Sequence, residues 1–229
     1  MTKRSILRNP IHRPTMPSRA TPALMRKTLV DALLHLSLSE GASQPSLKVE
    51  RAAVATAPSR MAAAQTSDPA ARAQIAASYS RYLDTYRAIA QASTEEQSLD
   101  DVGRAVAFFV AVNLHALHGV DADTHVLIPL ERQLRRLTRD ASKWDTASTP
   151  ERQAFFEQIA IAAMLVSGTR ASAASQGPQA VSGVRRAART YLEQTLGLNP
   201  DLVTLGPTGM VPREHNTTAR LAATAGQRA

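Results

Sequence analysis

The chain has 229 residues and a formal net charge of +8, with 44% hydrophobic residues but only 4% aromatic ones. That length suits one domain with appendages, and an apolar content drawn from Ala, Leu, Val and Ile suits close-packed helices better than a sandwich or barrel. It contains no cysteine, so disulfide scaffolds, thiolate metal sites and cysteine nucleophiles are excluded.

The charge is unevenly spread. Residues 1–68 hold ten Lys/Arg against four acids, and residues 213–229 hold Arg213, Arg220 and Arg228 against Glu214. The segment 69–212 between them carries 14 basic and 14 acidic residues. The whole excess therefore lies in the two ends, and the centre lacks the basic footprint of a nucleic-acid surface.

In chain order, 1–68 reads as a mostly disordered basic leader. Pro10, Pro14, Pro17 and Pro22 punctuate its start, and 39–68 has Gly41, Pro45 and Pro58 with no sustained apolar period. Ordering a backbone costs about 1–2 kcal/mol per residue, which such a stretch offers little area to offset. Within the leader, 25–44 reads either as a degenerate export signal or as a short amphipathic helix. Arg26 and Lys27 precede an apolar run, but Asp31 and His35 interrupt it. The chain as it stands reads as cytoplasmic, and as periplasmic or secreted if Met25 is the true start. No segment approaches the roughly 18 apolar residues of a membrane span.

From residue 69 helical periodicity takes over. Asp68-Pro69 is a cap followed by proline, and Ile75, Tyr79, Tyr82, Leu83, Tyr86 and Ile89 form one stripe over about six turns. A second helix is predicted from Asp100 or Asp101 to Gly119, through Val102, Val106, Phe109, Val110, Asn113 and Leu117. Phe108 and Val112 widen its apolar surface, which makes it the central helix. A third spans about 125–141, with Leu127, Leu130, Leu134 and Leu137 inside and Trp144 plugging the end. A fourth opens at Thr149-Pro150-Glu151 and carries Phe155, Phe156, Ile159, Ala163 and Val166. A fifth starts near Pro178, buries Val181, Val184, Ala188, Tyr191 and Leu192, and stops at Gly197. Five helices on short links predict an all-α antiparallel bundle over 69–212, with an irregular coda around Asn199-Pro200 and Gly206-Pro207 and a disordered tail at 213–229.

Several of these segments are familiar together. Asp101-Val102 followed by AVAFFVAVN (105–113), His118-Gly119, Arg132-Gln133-Leu134, Glu151-Arg152-Gln153 and 196–200 (LGLNP) resemble a bacterial family of all-helical domains of unknown function, over about 69–212. The resemblance implies a helical fold and a leading export signal, from which Asp31 and His35 depart. It brings no catalytic residues.

The sharpest chemical cluster is HALHGVDADTH. His115 and His118 lie one turn apart, and Asp121 or His125 is placed to close a metal site suited to zinc. A polar helix end followed by an acidic turn gives the same letters. Asn113, inside an apolar stripe, must find hydrogen-bond partners, either at a ligand pocket or in a link to a neighbouring helix or loop. Arg132, Arg135, Arg136 and Arg139 predict a basic face on the third helix, able to grip carboxylate or phosphate, against the plainer reading of a solvated surface. Arg185, Arg186 and Arg189 form a similar set. There is no GxSxG elbow and no phosphate-binding glycine loop.

The expectation is thus a non-enzymatic helical interaction domain of the bacterial envelope or secreted fraction, with a protein partner and no cofactor. The alternatives are a metal-binding protein using the 115–125 cluster and a nucleic-acid-associated protein acting through its basic ends.

Overall fold

The computed structural model describes residues 47–92, 100–141 and 144–213. Among them are six α-helices: α1 (Ala57–Ala63), α2 (Pro69–Ala92), α3 (Val102–His118), α4 (Thr124–Ala141), α5 (Thr149–Gln176) and α6 (Pro178–Tyr191). A 3₁₀ turn at Trp144–Thr146 links α4 to α5, a π turn at Leu192–Leu196 extends α6, and β1 (Val203–Gly206) pairs with β2 (Gly209–Pro212). The all-α reading holds, and α2 to α6 are the five predicted helices.

Each start has a local cause. The Asp68 carboxylate accepts from Ala70 N and Ala71 N ahead of α2. Asp101 caps α3, its side chain taking the Arg104 N–H at 3.0 Å. α5 begins one residue earlier than its proline implied: Ser148 is the cap, and Glu151 reaches back to accept from its N–H and hydroxyl at 2.8 and 2.7 Å. Gly119 ends α3 at φ 70°, and Gly197 ends the π turn at φ 65°.

α3 and α5 form the heart of the packing. Eleven of the 17 residues of α3 are buried, as a central helix requires. α5 is about 42 Å long at 1.5 Å per residue; it buries Phe156, Ile159, Ala160, Ile161, Ala163 and Val166 and meets α1, α2, α3 and α6. Tyr86 of α2 packs its ring between Phe108 and Phe156. In α2 the stripe is Tyr79, Leu83, Tyr86 and Ala90, while Ile89 is 42% exposed. The steps 79, 83, 86 and 90 keep a single face, and position 89 falls about 100° away.

Two expectations fail. Residues 47–68, read as disordered leader, fold onto the bundle: Leu47 and Val49 are buried, the backbone at Lys48 forms an antiparallel β-bridge with that at Asp101, and α1 buries Ala57, Met61 and Ala62. Their partners lie far along the chain, where no local period signals them. The rest of the leader (1–46, including the 25–44 signal or helix) and the tail from 214 lie outside the described residues. The coda, read as irregular, is a hairpin. Val203 and Leu205 face inward, Thr204 and Gly206 less so, around a Pro207-Thr208 turn and Gly209 at φ 103°. The Gln133 side chain of α4 pairs with β2 as a strand would: its amide donates to Met210 O at 2.9 Å, and its carbonyl accepts from Met210 N at 2.8 Å.

Candidate functional site

Charged side chains gather where α2, α3 and α4 meet the 47–51 segment. Asp100 and Asp101 are 4% and 2% exposed. Asp100 receives two-pronged pairs from Arg87 (3.0 and 2.8 Å) and Arg51 (3.1 and 2.9 Å). Burial alone would raise its carboxyl, but these guanidinium bonds outweigh that and hold it below the ordinary carboxylate range. The Asp101 carboxylate accepts from Arg135 at 2.7 Å, and Arg135 also donates twice to Glu131, at 3.1 and 2.6 Å. The Arg135 stem crosses over Gly103, where a Cβ would lie 2.4 Å from its Cγ. Both aspartates therefore tie elements together, and neither presents a free oxygen for proton transfer.

A third buried carboxylate secures α1. Glu157 is fully buried and accepts from Thr56 N and Ala57 N, each at 2.9 Å, and from the Gln153 amide at 2.7 Å. Sequence reading missed Asp100, Arg87, Arg51, Glu157 and Gln133 as structural residues. Only the Asp100-Asp101 pair left a signal, and it pointed to a helix start.

The histidine cluster is pulled apart. His118 donates from Nε2 to Pro200 O at 3.1 Å, which leaves Nδ1 to accept from Arg213 at 3.2 Å. No lone pair remains on that ring for a metal. His115 Nδ1 lies 2.7 Å from Asp121 Oδ1, and His125 is exposed on the first turn of α4. Among the described residues no group of three or more His, Asp or Glu is placed to hold a metal ion. The predicted site of His115, His118, Asp121 and His125 is not assembled, because the polypeptide after α6 claims His118. Beside it Asp201 takes both prongs of Arg189 at 2.7 Å, and that bond holds its carboxyl below the usual range.

Asn113, at 0% exposure, makes no side-chain link to a neighbouring helix or loop among the described residues. Its amide donates to Phe109 O one turn back at 2.7 Å, and its Oδ1 has no partner among the described residues. The basic face predicted on α4 is also broken. Arg135 is buried in the ion network, Arg136 is half-buried and partnered, and the Arg139 side chain lies outside the described residues. Of the three whose side chains are described, Arg132 is exposed. On α6, Arg185 and Arg186 point outward while Arg189 is tied to Asp201. An open depression of about 420 Å³, lined by Glu193, Gln194, Gly197 and Asn199, lies at the π turn.

With helices, caps and hairpin in place, the sequence profile described as "Family of unknown function (DUF6683)" matches residues 7–213. The chain belongs to that family. Its profile extends ahead of residue 69 and takes in the 47–63 segment that the fold packs against α2 and α5. No curated protein and no solved structure matches the chain. No helix among the described residues is long and apolar enough to cross a membrane.

Proposed function

We propose that this chain is a non-enzymatic helical interaction domain of the bacterial envelope or secreted fraction, and that it binds an acidic partner protein through the outward faces of α4 and α6. The division of its charges carries this reading. The buried Asp100 and Asp101 are matched to Arg51, Arg87 and Arg135. Arg132, Arg185 and Arg186 stand exposed with no ion-pair partner among the described residues. Arginine in that setting gives an interface long reach and two-pronged contacts to carboxylates. The metal alternative loses its support with the engagement of both His118 nitrogens.

The test places a photo-cross-linking residue at Ile128, which is 48% exposed one turn before Arg132, or at exposed Ser182, one turn before Arg185 and Arg186. In the native bacterium one recurrent protein adduct is expected, lost on Arg132→Glu or Arg185→Glu. No adduct from either position would refute the reading, and an adduct with nucleic acid would favour the basic ends instead. Intact-mass analysis of the native protein addresses export separately: a mature terminus near Gln44 is expected, and an intact Met1 would remove the envelope assignment.

A further inference from the structure

The segment joining Arg51 to α1 combines three properties. It is exposed and apolar: Ala52 and Ala53 lie open, and Val54 is 74% exposed, the largest value among the exposed large hydrophobic side chains of the described residues. Among the described residues no backbone N–H or carbonyl from Glu50 to Ala55 enters a hydrogen bond. It is also fastened at both ends. On one side Val49 N donates to Asp100 O at 2.8 Å, Val102 N donates to Leu47 O at 3.0 Å, and Arg51 is paired to Asp100. On the other side the buried Glu157 carboxylate holds Thr56 N and Ala57 N. The stretch from Arg51 to Thr56 covers at most about 18 Å when extended.

A single exposed valine is ordinary on a protein surface. A short apolar loop with free peptide groups, held out between two anchors, matches what an endoprotease requires. Exposed loops of small residues are preferred nicking sites, and the main chain must be free to bond the enzyme as an extended strand. The charges sharpen the specificity. The Arg51 guanidinium is engaged by Asp100 on both prongs while its side chain stays 48% exposed, and Val54 is the open aliphatic side chain of the loop.

We infer that the Ala52–Ala55 loop is a proteolytic processing site for a serine endoprotease whose primary pocket takes small aliphatic side chains, with cleavage at the Val54–Ala55 bond. In that step the amide bond breaks and one water is consumed: its oxygen goes to the Val54 carbonyl carbon as a new carboxylate, and Ala55 leaves as a new amino terminus. The cut breaks the covalent link between 1–54 and the helical body, and leaves Glu157 and the α1 contacts in place. This inference does not depend on the partner-binding reading.

The experiment treats the full-length protein with catalytic amounts of pancreatic elastase and follows the fragments by intact-mass spectrometry. The first new termini between residues 47 and 213 are expected at Val54 and Ala55. Val54→Asp should slow cleavage between 51 and 56 at least tenfold and leave the urea unfolding curve unchanged, because the side chain it alters touches solvent. An earliest cut elsewhere between 47 and 213, or an unchanged cleavage rate in Val54→Asp, would overturn the inference.

Discussion

Asp100→Ala is expected to reduce the unfolding free energy by about 3–5 kcal/mol, the range for removing one partner of a buried ion pair. The loss is large because of what stays behind. The Arg87 side chain is only 15% exposed and would keep its charge with both of its close bonds gone. Arg51 would lose its contact too, so the 47–51 segment should loosen along with the N-terminus of α3. Urea unfolding followed by circular dichroism reads the change, and a loss below about 1 kcal/mol would mean that the pair acts as a surface contact. The same residue carries a pH dependence. Its folded carboxyl lies below the unfolded value of about 3.9, so its stabilisation is complete above that value. It is lost as the pH falls through the folded value. Asp100→Ala should therefore be less sensitive to acid than the parent protein in this range.

Gly209→Val should detach the hairpin at a cost of about 2–5 kcal/mol. Part of this is backbone strain, since at φ 103° an L side chain is disfavoured by about 1–3 kcal/mol. The rest is collision: a Cβ would stand 2.9 Å from Gln133 Oε1 and 3.1 Å from both Cα and N of Leu130. The helix backbone of α4 has little room to retreat, and the glutamine it displaces is the one bonded to both backbone groups of Met210. Gly119 provides a comparison, because at φ 70° it has nothing within 4 Å of a built Cβ, so an alanine there meets strain alone. Amide exchange at Met210 and the thermal midpoint together measure the effect. A Gly209→Val protein with parental protection at Met210 would show that the hairpin does not depend on this close approach.

The residues that invited functional readings were legible as chemistry and illegible as geometry. HALHGVDADTH has metal-ligand spacing, yet the chain returns 82 residues later to offer Pro200 O to His118 Nε2, and Arg213 takes the other nitrogen. Arg135 belongs to a run of arginines at helix-surface spacing, but Asp101, 34 residues away, draws it into the interior. Arg132, Arg185 and Arg186 remain on the surface as their letters suggest, because none of the described residues folds over them. Periodicity states which face a residue occupies. It does not state what returns to meet that face.

By itself the sequence determined the helices. Alanine-rich stretches with apolar residues every three or four positions, bounded by Asp68, Asp101, Gly119 and Gly197, have little alternative to packed rods, since capping and propensity act within a few residues. Tertiary structure alone decided the rest. Residues 47–63 become part of the domain because Asp100 and Glu157, 49 and about 100 residues away, supply acceptors for them. Residues 203–212 become a hairpin because Gln133 offers an amide that completes its edge. A seven-residue helix or a pair of four-residue strands is unstable alone in water. Such elements exist only where a distant surface receives them, and that surface comes into being when the long helices assemble.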